Sequence, residues 1–303
     1  MPHFSIPQRN VKAFPILIAA CLVAMTGCGS PPAPMTALDS AYLTSSLWND
    51  GLAEVAFYRI TRQQDQYGRD VPQSFMAGTY LVKHDFDEAT ESKARSESTT
   101  GVPAFKYALF YEFESGSYEY KRNWVVNAAQ RDLRSLKASF SGFDWCSNQY
   151  QEYAFSGNAV DYLYRSDDYG NAAEHWTPGP GTYPIASIPL LVRAVVSDTT
   201  RFGIITPQGN VVGATAVIEG PESFRDSFSA VRVKVTYDQP VPSMIGEESA
   251  LTESWLRSTD PDRRILAMRS GDGRYRMELV EHLRSAYWQE NLYDRLSIVT
   301  QRP

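Results

Sequence analysis

The sequence predicts a mainly β protein: a curled antiparallel sheet, half-open barrel or sandwich-like, with one or two short helices. Aromatic residues make up 13% of the 303-residue chain and include 18 Tyr, whose side chains fit a pleated, half-buried surface. The stretch "VRVKVTY", Val231 to Tyr237, alternates apolar and polar residues, as a strand with one buried face does. Short turn-forming segments separate such stretches. A sheet of this size doubles or curls to avoid exposed edges, and a sandwich and a barrel present the same alternation.

Three pairs of these stretches predict hairpins, and therefore antiparallel neighbours. Their turns lie at Ser115–Gly116 in "FKYALFYEFESGSYEYKRNWVV", at Pro207–Asn210 in "RFGIITPQGNVVGATAVIEG", and at Gly271–Gly273 between "RRILAMR" and "RYRMELVEHL". The segment "SIPLLVRAV" predicts a short helix with Ser187 as its cap and Pro189 in its first turn.

Other segments predict a second short helix and several long loops. The helix is predicted within "MTALDSAYLTSSLW" near the N-terminus. Polar composition or an abundance of Gly and Pro predicts loops in "DEATESKARSESTTG", "DDYGNAAEHWTPGPGTY" and "DQPVPSMIGEES".

The N-terminal segment has the parts of an export signal. A positive stretch with Arg9 and Lys12 precedes the apolar run "AFPILIAACLVAM", which is shorter than the roughly twenty apolar residues that span a bilayer. The following "MTGC" resembles the bacterial lipoprotein signal, in which the cysteine is acylated and becomes the mature N-terminus. The resemblance implies lipid attachment at Cys28, although Met25 stands where leucine is usual; the alternative is an ordinary cleaved signal peptide. We therefore expect a lipoprotein signal peptide at 1–27, a Pro-rich tether at 28–36 and a single β-rich domain at 37–303.

Acylation of Cys28 would place the protein on a membrane through its acyl chains, such as palmitate, without a spanning helix. Pro-rich segments are extended and semi-rigid, so we expect the "GSPPAP" stretch to act as a spacer between lipid and folded domain. Gly29 beside the anchor is not aspartate, so by analogy with enterobacterial sorting we expect the outer membrane, facing the periplasm.

The charge of the chain argues against nucleic-acid binding. The formal net charge is −6, and removal of the leader with its two cations makes it about −8. No Lys/Arg cluster is visible along the sequence. No phosphate-cradling glycine loop and no nucleophile elbow occur either. We expect no cofactor.

Cys146, in "SGFDWCSNQYQEY", is the cysteine whose role is open. The chain has three cysteines; Cys21 leaves with the leader and Cys28 carries lipid, so an intramolecular disulfide is excluded. Three interpretations remain: a buried inert thiol, an intermolecular disulfide, or a nucleophile. A nucleophile needs a base and an orienting acid.

The catalytic candidates for such a thiol are weak. His175 and Asp144 could serve as base and orienting acid, with Glu174 as another acid, but no motif joins them to Cys146, and His84 and His282 are equally available. Because free cysteine is among the most buried residue types and Trp145 precedes it, a buried packing thiol is the favoured prediction.

Metal binding is not expected from the sequence. The acidic stretches "HDFDE" and "SDDYGN" lack the spacing of zinc, EF-hand or facial-triad sites. Solvated surface carboxylates are the simpler interpretation.

Aromatic residues on successive predicted strands suggest either a core or a ligand pocket. The structural interpretation is that these aromatic side chains form a β core that fills the space between the sheet and its helix. The functional interpretation is that they line an apolar pocket with hydroxyl groups at its rim, suited to a lipid or another amphipathic ligand. The candidate pocket residues are Tyr118, Tyr120, Trp124, Trp145, Tyr162 and Tyr164.

Several stretches of the mature chain resemble a known group of proteins. The segments "SLWNDGLAEVAFYRI", "FESGSYEYKRNWVV" and "FDWCSNQYQEY" look like signature stretches of uncharacterised bacterial envelope lipoproteins. In the second half, "ESWLRSTDPDRRILAMR" followed by "GRYRMELVE" resembles the closing strands of half-open β-barrel domains of unknown function, similar in shape to lipoprotein carriers. The resemblance implies a compartment and a fold, and it implies no reaction.

The expected function is therefore a lipid-anchored envelope module that binds or scaffolds an apolar or amphipathic ligand or an envelope partner. The alternative is a thiol-dependent enzyme centred on Cys146. A third class, a purely structural envelope component, predicts no ligand site.

Overall fold

One large antiparallel sheet organises the chain. The computed structural model describes residues 38–65, 70–95, 100–245 and 248–291, and the predicted leader, the lipid attachment at Cys28 and the tether lie outside these residues. The described strands are β1 (Ala53–Asp65), β2 (Asp70–Asp87), β3 (Ser92–Lys93), β4 (Val102–Ser115), β5 (Tyr118–Ala129), β6 (Ser135–Phe143), β7 (Asn148–Ser156), β8 (Ala159–Ser166), β9 (Gly170–Trp176), β10 (Thr182–Pro184), β11 (Thr199–Ile205), β12 (Val211–Phe224), β13 (Phe228–Pro242), β14 (Ser249–Ser258), β15 (Ile265–Ser270) and β16 (Tyr275–Ser285).

The helices are few and short. They are α1 (Ser40–Leu43) and α2 (Ile188–Ala194), with 3-10 turns at Ser46–Asn49, Ile185–Ser187 and Tyr287–Gln289. None of the helices in the described ranges has the length and apolar character needed to cross a bilayer.

The strand order confirms the predicted fold class. The order across the sheet is β10-β11-β12-β13-β14-β15-β16-β1-β2-β4-β5-β6-β7-β8-β9, with β3 added to β2. All described pairs are antiparallel except β10 with β11. The strands β9 and β10 end the sheet and do not pair with each other, so the sheet is unclosed.

The three predicted hairpins are confirmed, but each of the three predicted loops contains strand residues: β3 lies in the first, and β13 runs to Pro242 in the third. Register places the first turn at Gly116 and Ser117, between partners Ser115 and Tyr118. The supposed loop "DDYGNAAEHWTPGPGTY" instead contains β9 and β10. Gly170 adopts φ +80°, which suits the turn that returns the chain along β8.

The predicted helix in "SIPLLVRAV" is confirmed as α2, although Ser187 makes no side-chain capping bond. The helix predicted near the N-terminus is shorter than its segment and consists of α1 followed by a 3-10 turn. The Asp39 side chain caps α1 by accepting a hydrogen bond from the Tyr42 amide. Both short helices depend on tertiary packing, because helices of this length are unstable alone.

The sheet curls so that one face encloses α2. All seven residues of α2 are buried, because the helix lies in the crossover between the parallel strands β10 and β11 and packs on the sheet. The Tyr153 hydroxyl on β7 donates a hydrogen bond to the backbone oxygen of Thr206, just after β11, at a distance of 3.0 Å. Strands near the two ends of the sheet therefore face each other. We call the face that packs on α2 the core face and the opposite face the outer face.

A buried ion pair and an arginine cap fix α2. Arg193 makes a bidentate pair with Glu54 of β1, and the two side chains are 3% and 2% exposed. Arg257 of β14 donates to the carbonyl oxygens of Val192, Arg193 and Val195 at 2.7, 2.7 and 2.9 Å. These are carbonyls that the end of a helix otherwise leaves without partners.

Candidate functional site

The loop between β6 and β7 exposes Cys146 to solvent, so the prediction of a buried packing thiol is wrong. Trp145 beside it is 78% exposed and does not pack. The reason is local: the Asp144 carboxylate accepts bonds from the amides of Cys146 and Ser147 at 2.8 and 2.9 Å, which folds the loop outward as a tight turn.

The structure does not bring His175 to Cys146. His175 lies on β9 opposite Asp161, and their side chains are 2.7 Å apart. Asp161 is opposite Ala154 of β7, whereas the loop that contains Cys146 leads into β7 at Asn148, six residues earlier. At about 3.4 Å per residue, the two ends of this stretch are about 20 Å apart. The Asp144 carboxylate is occupied by backbone amides, so His175 does not serve the thiol as a base and Asp144 does not orient one.

Tyr118 is the side chain that does meet Cys146. Hydrogen bonding and charge interaction with Cys146 raise the pKa of Tyr118. A tyrosine with a raised pKa stays protonated at neutral pH and cannot act as a base there. The arrangement is therefore an exposed turn without activation chemistry.

The six predicted pocket residues separate into three places. Trp124, Tyr162 and Tyr164 belong to the packed core around α2. Tyr120 is half-buried and stacks on Phe113 at 5.0 Å. The remaining two, Tyr118 and Trp145, are exposed near the β6–β7 turn. Strand alternation does place Trp124 and Tyr164 on one face, but that face packs against the helix.

A concavity of about 1050 Å³ lies across strands β2 to β9, and we call it the outer groove. Register puts directly opposed residues of β4 to β9 in one row, next to the core-facing row that contains Trp124. That row is therefore on the outer face. Its members are Phe110, Asn123, Ser141, Tyr150, Arg165 and Asn171.

Aromatic rings form the apolar part of the outer groove. Tyr80, Phe110, Phe143 and Tyr150 line it, and Phe143 is 49% exposed. Gly78 lies opposite Phe110 on β2, and a Cβ there would lie 2.2 Å from the Cζ atom of that ring. Glycine at position 78 is therefore needed for the Phe110 ring to lie over β2.

Polar and charged groups form the rest of the outer groove. Lys121 is neutralised by Glu112 at 3.1 Å and Glu119 at 3.5 Å. The Arg165 guanidinium donates to its neighbouring carbonyl and has no acidic partner among the described residues. Arg122 also lines the groove and donates only to carbonyl oxygens. The site thus combines apolar rings with amide groups and two guanidinium groups that form no ion pair among the described residues, which is the composition of a small-molecule site.

A second cluster, Glu54, Asp262 and His282, has the residue types of a metal site. Their ligand atoms all lie within 4.8 Å of one another. However, Arg264 Nη1 is 3.3 Å from His282 Nδ1, and arginine can only donate. Nδ1 must therefore accept, so Nε2 carries the proton and points toward carboxylate oxygens at 3.7 and 3.8 Å.

The same carboxylates are held by arginines. Burial alone would raise the pKa of Glu54, but the positive charge and hydrogen bonds of Arg193, with the nearby N–H of His282, outweigh it and hold the pKa well below its usual range. Asp262 pairs with Arg264 at 3.0 Å. The protonated Nε2 and the arginine partners do not fit a metal ion. The cluster is a neutralised network that supports α2.

Sequence reasoning overlooked these buried charges, although a signal existed. Glu54 interrupts the apolar run "LAEVAF", and Arg193 interrupts the apolar helix "IPLLVRAV". A single charge in an apolar stretch is expensive to bury unless it is paired. Two such charges of opposite sign predict each other as partners.

No protein-family model, curated protein or solved structure matches the chain. The resemblance to envelope lipoproteins therefore stays a prediction, and the geometry of the described residues carries the functional argument.

The exposed loop predicts that Cys146 reacts in the folded protein. Treatment of the native full-length protein with a maleimide should label the peptide that contains Cys146 as fast as it labels the urea-unfolded protein, within about a factor of ten, because the thiol is solvent-accessible. Peptide mass mapping separates this site from the other cysteines. Protection that lasts until unfolding would contradict the exposed loop.

Proposed function

We propose that the protein is a cell-envelope lipoprotein, anchored by acyl chains on Cys28, whose β domain binds an amphipathic ligand in the outer groove. The observation that carries the binding proposal is the groove of about 1050 Å³ in which aromatic rings, amides and the cation of Arg165 converge. Ligand sites in proteins are concave, mostly apolar and fitted with a few polar groups.

The outer face supports this proposal better than the interior does. The core face is occupied by α2, all of whose residues are buried, and by the aromatic core that includes Trp124 and Tyr164. A ligand in the interior would have to displace this helix and break the pair between Arg193 and Glu54. The outer groove is open without any such rearrangement.

The ligand class follows from the lining of the groove. The rings of Phe110, Phe143 and Tyr150 offer apolar area to a hydrocarbon or flat apolar group. Arg165, on the same row, offers an unneutralised guanidinium to a carboxylate or another anionic end. The ligand is therefore amphipathic, with an apolar body and a polar or anionic end.

Anchoring rests on the sequence of the leader. The charged stretch, the short apolar run and "MTGC" support acylation of Cys28, and the Pro-rich tether supports a folded domain held away from the lipid. Gly29 supports the outer membrane, with the domain facing the periplasm.

The anchor proposal predicts incorporation of labelled palmitate. In a bacterial host that processes lipoproteins, the full-length protein should incorporate radiolabelled palmitate, whereas Cys28→Ser should incorporate none, because the acceptor thiol is gone. Cys21→Ser is the matched control and should label normally. Equal labelling of wild type and Cys28→Ser, or no labelling of either, would contradict anchoring at Cys28.

The binding proposal predicts that Phe143→Ser weakens binding of a dansyl-labelled fatty acid by about tenfold, because burying a phenyl ring contributes about 1.5–3 kcal/mol. Fluorescence titration measures the affinity. Phe228→Ser removes an exposed phenylalanine outside the groove and should bind like the wild type.

Two results would contradict the binding proposal. Wild type that fails to bind the probe supports a purely structural component. Equal loss in Phe143→Ser and Phe228→Ser means that any exposed ring suffices and that the groove has no special role.

A further inference from the structure

The curled sheet assembles a line of three cations that the sequence keeps far apart. Lys234 of β13 is opposite Ser254 of β14, Ser254 is opposite Arg269 of β15, and Arg269 is opposite Arg276 of β16. Directly opposed residues point to one side of a sheet. At about 4.8 Å per strand, the line is about 14 Å long. We call Lys234, Arg269 and Arg276 the cation row.

The cation row is on the outer face, away from the outer groove. Its neighbours in register, Trp255 and Met268, are buried in the core, so the alternate residues face outward. A concavity of about 500 Å³ lies over part of the row. Lys234, Ser254 and Arg269 line it together with Glu219 and Asp272, whereas Arg276 is outside the lining.

No acid neutralises the row within the described part of the chain, although acids are near. Arg232 binds Glu222 and lies 3.9 Å from Glu219, and Glu278 is opposite Arg59. The Asp272 carboxylate accepts bonds from Ser270 Oγ at 2.6 Å and from the Arg274 amide at 3.1 Å. Glu219 and Asp272 line the same concavity, but none of Lys234, Arg269 and Arg276 forms an ion pair with an acid among the described residues.

The arrangement is unfavourable without an anion. Arg269 and Arg276 are directly opposed like charges, and such pairs destabilise a sheet. The whole protein is acidic at −6, so this row is a local exception to its field. The hydroxyl groups of Ser254 and Thr252 lie in the same concavity and can donate to an anion.

Gly271 keeps the floor of this concavity open. The residue is opposite Thr252, whose carbonyl oxygen accepts from its amide at 2.8 Å. A Cβ on Gly271 would lie 1.9 Å from Thr252 Oγ1. Any other residue would displace this hydroxyl group.

We propose that the cation row binds a phosphoryl group that carries more than one negative charge. Three cations with interleaved hydroxyl groups match several anionic oxygens at once, which a single carboxylate does not supply. The row is too short, and the rest of the surface too negative, to follow an extended polyanion. The phosphoryl group is carried either by a lipid headgroup or by a soluble molecule.

The test uses the full-length protein in neutral detergent micelles at low ionic strength. Titration calorimetry with sodium pyrophosphate examines a soluble source. Thermal melting in micelles doped with phosphatidic acid, compared with phosphatidylcholine, examines a lipid headgroup. The test variant is Lys234→Gln with Arg269→Gln and Arg276→Gln. The control, Lys93→Gln with Arg95→Gln and Arg131→Gln, changes the net charge equally on β3 and after strands β3 and β5, which are not strands of the cation row.

If the phosphoryl group belongs to a soluble molecule, wild type and the control variant should bind pyrophosphate. If it belongs to a lipid headgroup, both should melt at a higher temperature with phosphatidic acid but not with phosphatidylcholine. Arg269→Gln alone should weaken the affinity about tenfold, or about 1.4 kcal/mol, and the triple variant should lose it, because each substitution removes a charge-assisted hydrogen bond to the anion. Without ligand, the triple variant should melt no lower than the control, since it relieves like-charge repulsion. Absence of both responses in wild type, or equal loss in the triple variant and the control, would overturn the proposal.

Discussion

The buried ion pair between Arg193 of α2 and Glu54 of β1 is the interaction on which the fold depends. Both side chains are almost fully buried, and each would leave an uncompensated charge without the other. Because the pair is bidentate, it sets the rotation of the helix as well as its position. Arg257 completes the arrangement by binding the carbonyls at the end of the helix. Its own pKa falls to about 10, through burial and then the nearby charge of Arg263, so it remains charged at neutral pH.

Occupation of the interior by α2 decides where the protein can meet other molecules. A curled sheet without a helix inside could hold a ligand between its faces, but here the enclosed face is packed with aliphatic and aromatic side chains. The outer face therefore carries both candidate sites. The outer groove uses strands of the first half of the chain, and the cation row uses strands of the second half. Each half of one continuous sheet contributes its own chemistry.

Local sequence signals predicted the elements, and long-range register determined the sites. Alternation in "VRVKVTY" and the turn residues at Gly116 and Asn210 were enough for hairpins, because a hairpin joins neighbours in sequence. The tyrosines at 162 and 164 were correctly assigned to strands, but their face could not be read without knowing that α2 covers it. The cation row was invisible for the same reason: Lys234 and Arg269 meet only through the intervening Ser254. Exposure of Cys146 depends on an Asp144 turn that composition does not reveal.

A double-mutant cycle on Arg193 and Glu54 tests the central claim most directly, with unfolding free energies measured by urea denaturation. Arg193→Met and Glu54→Leu should each cost about 3–5 kcal/mol, and the double variant far less than their sum, because the second change removes the charge that the first leaves buried. The exposed pair Arg201 and Asp238 is the matched control, and its coupling should stay below about 1 kcal/mol. If the two single costs at Arg193 and Glu54 simply add, or match the surface control, the helix is not held by this pair and the account is wrong.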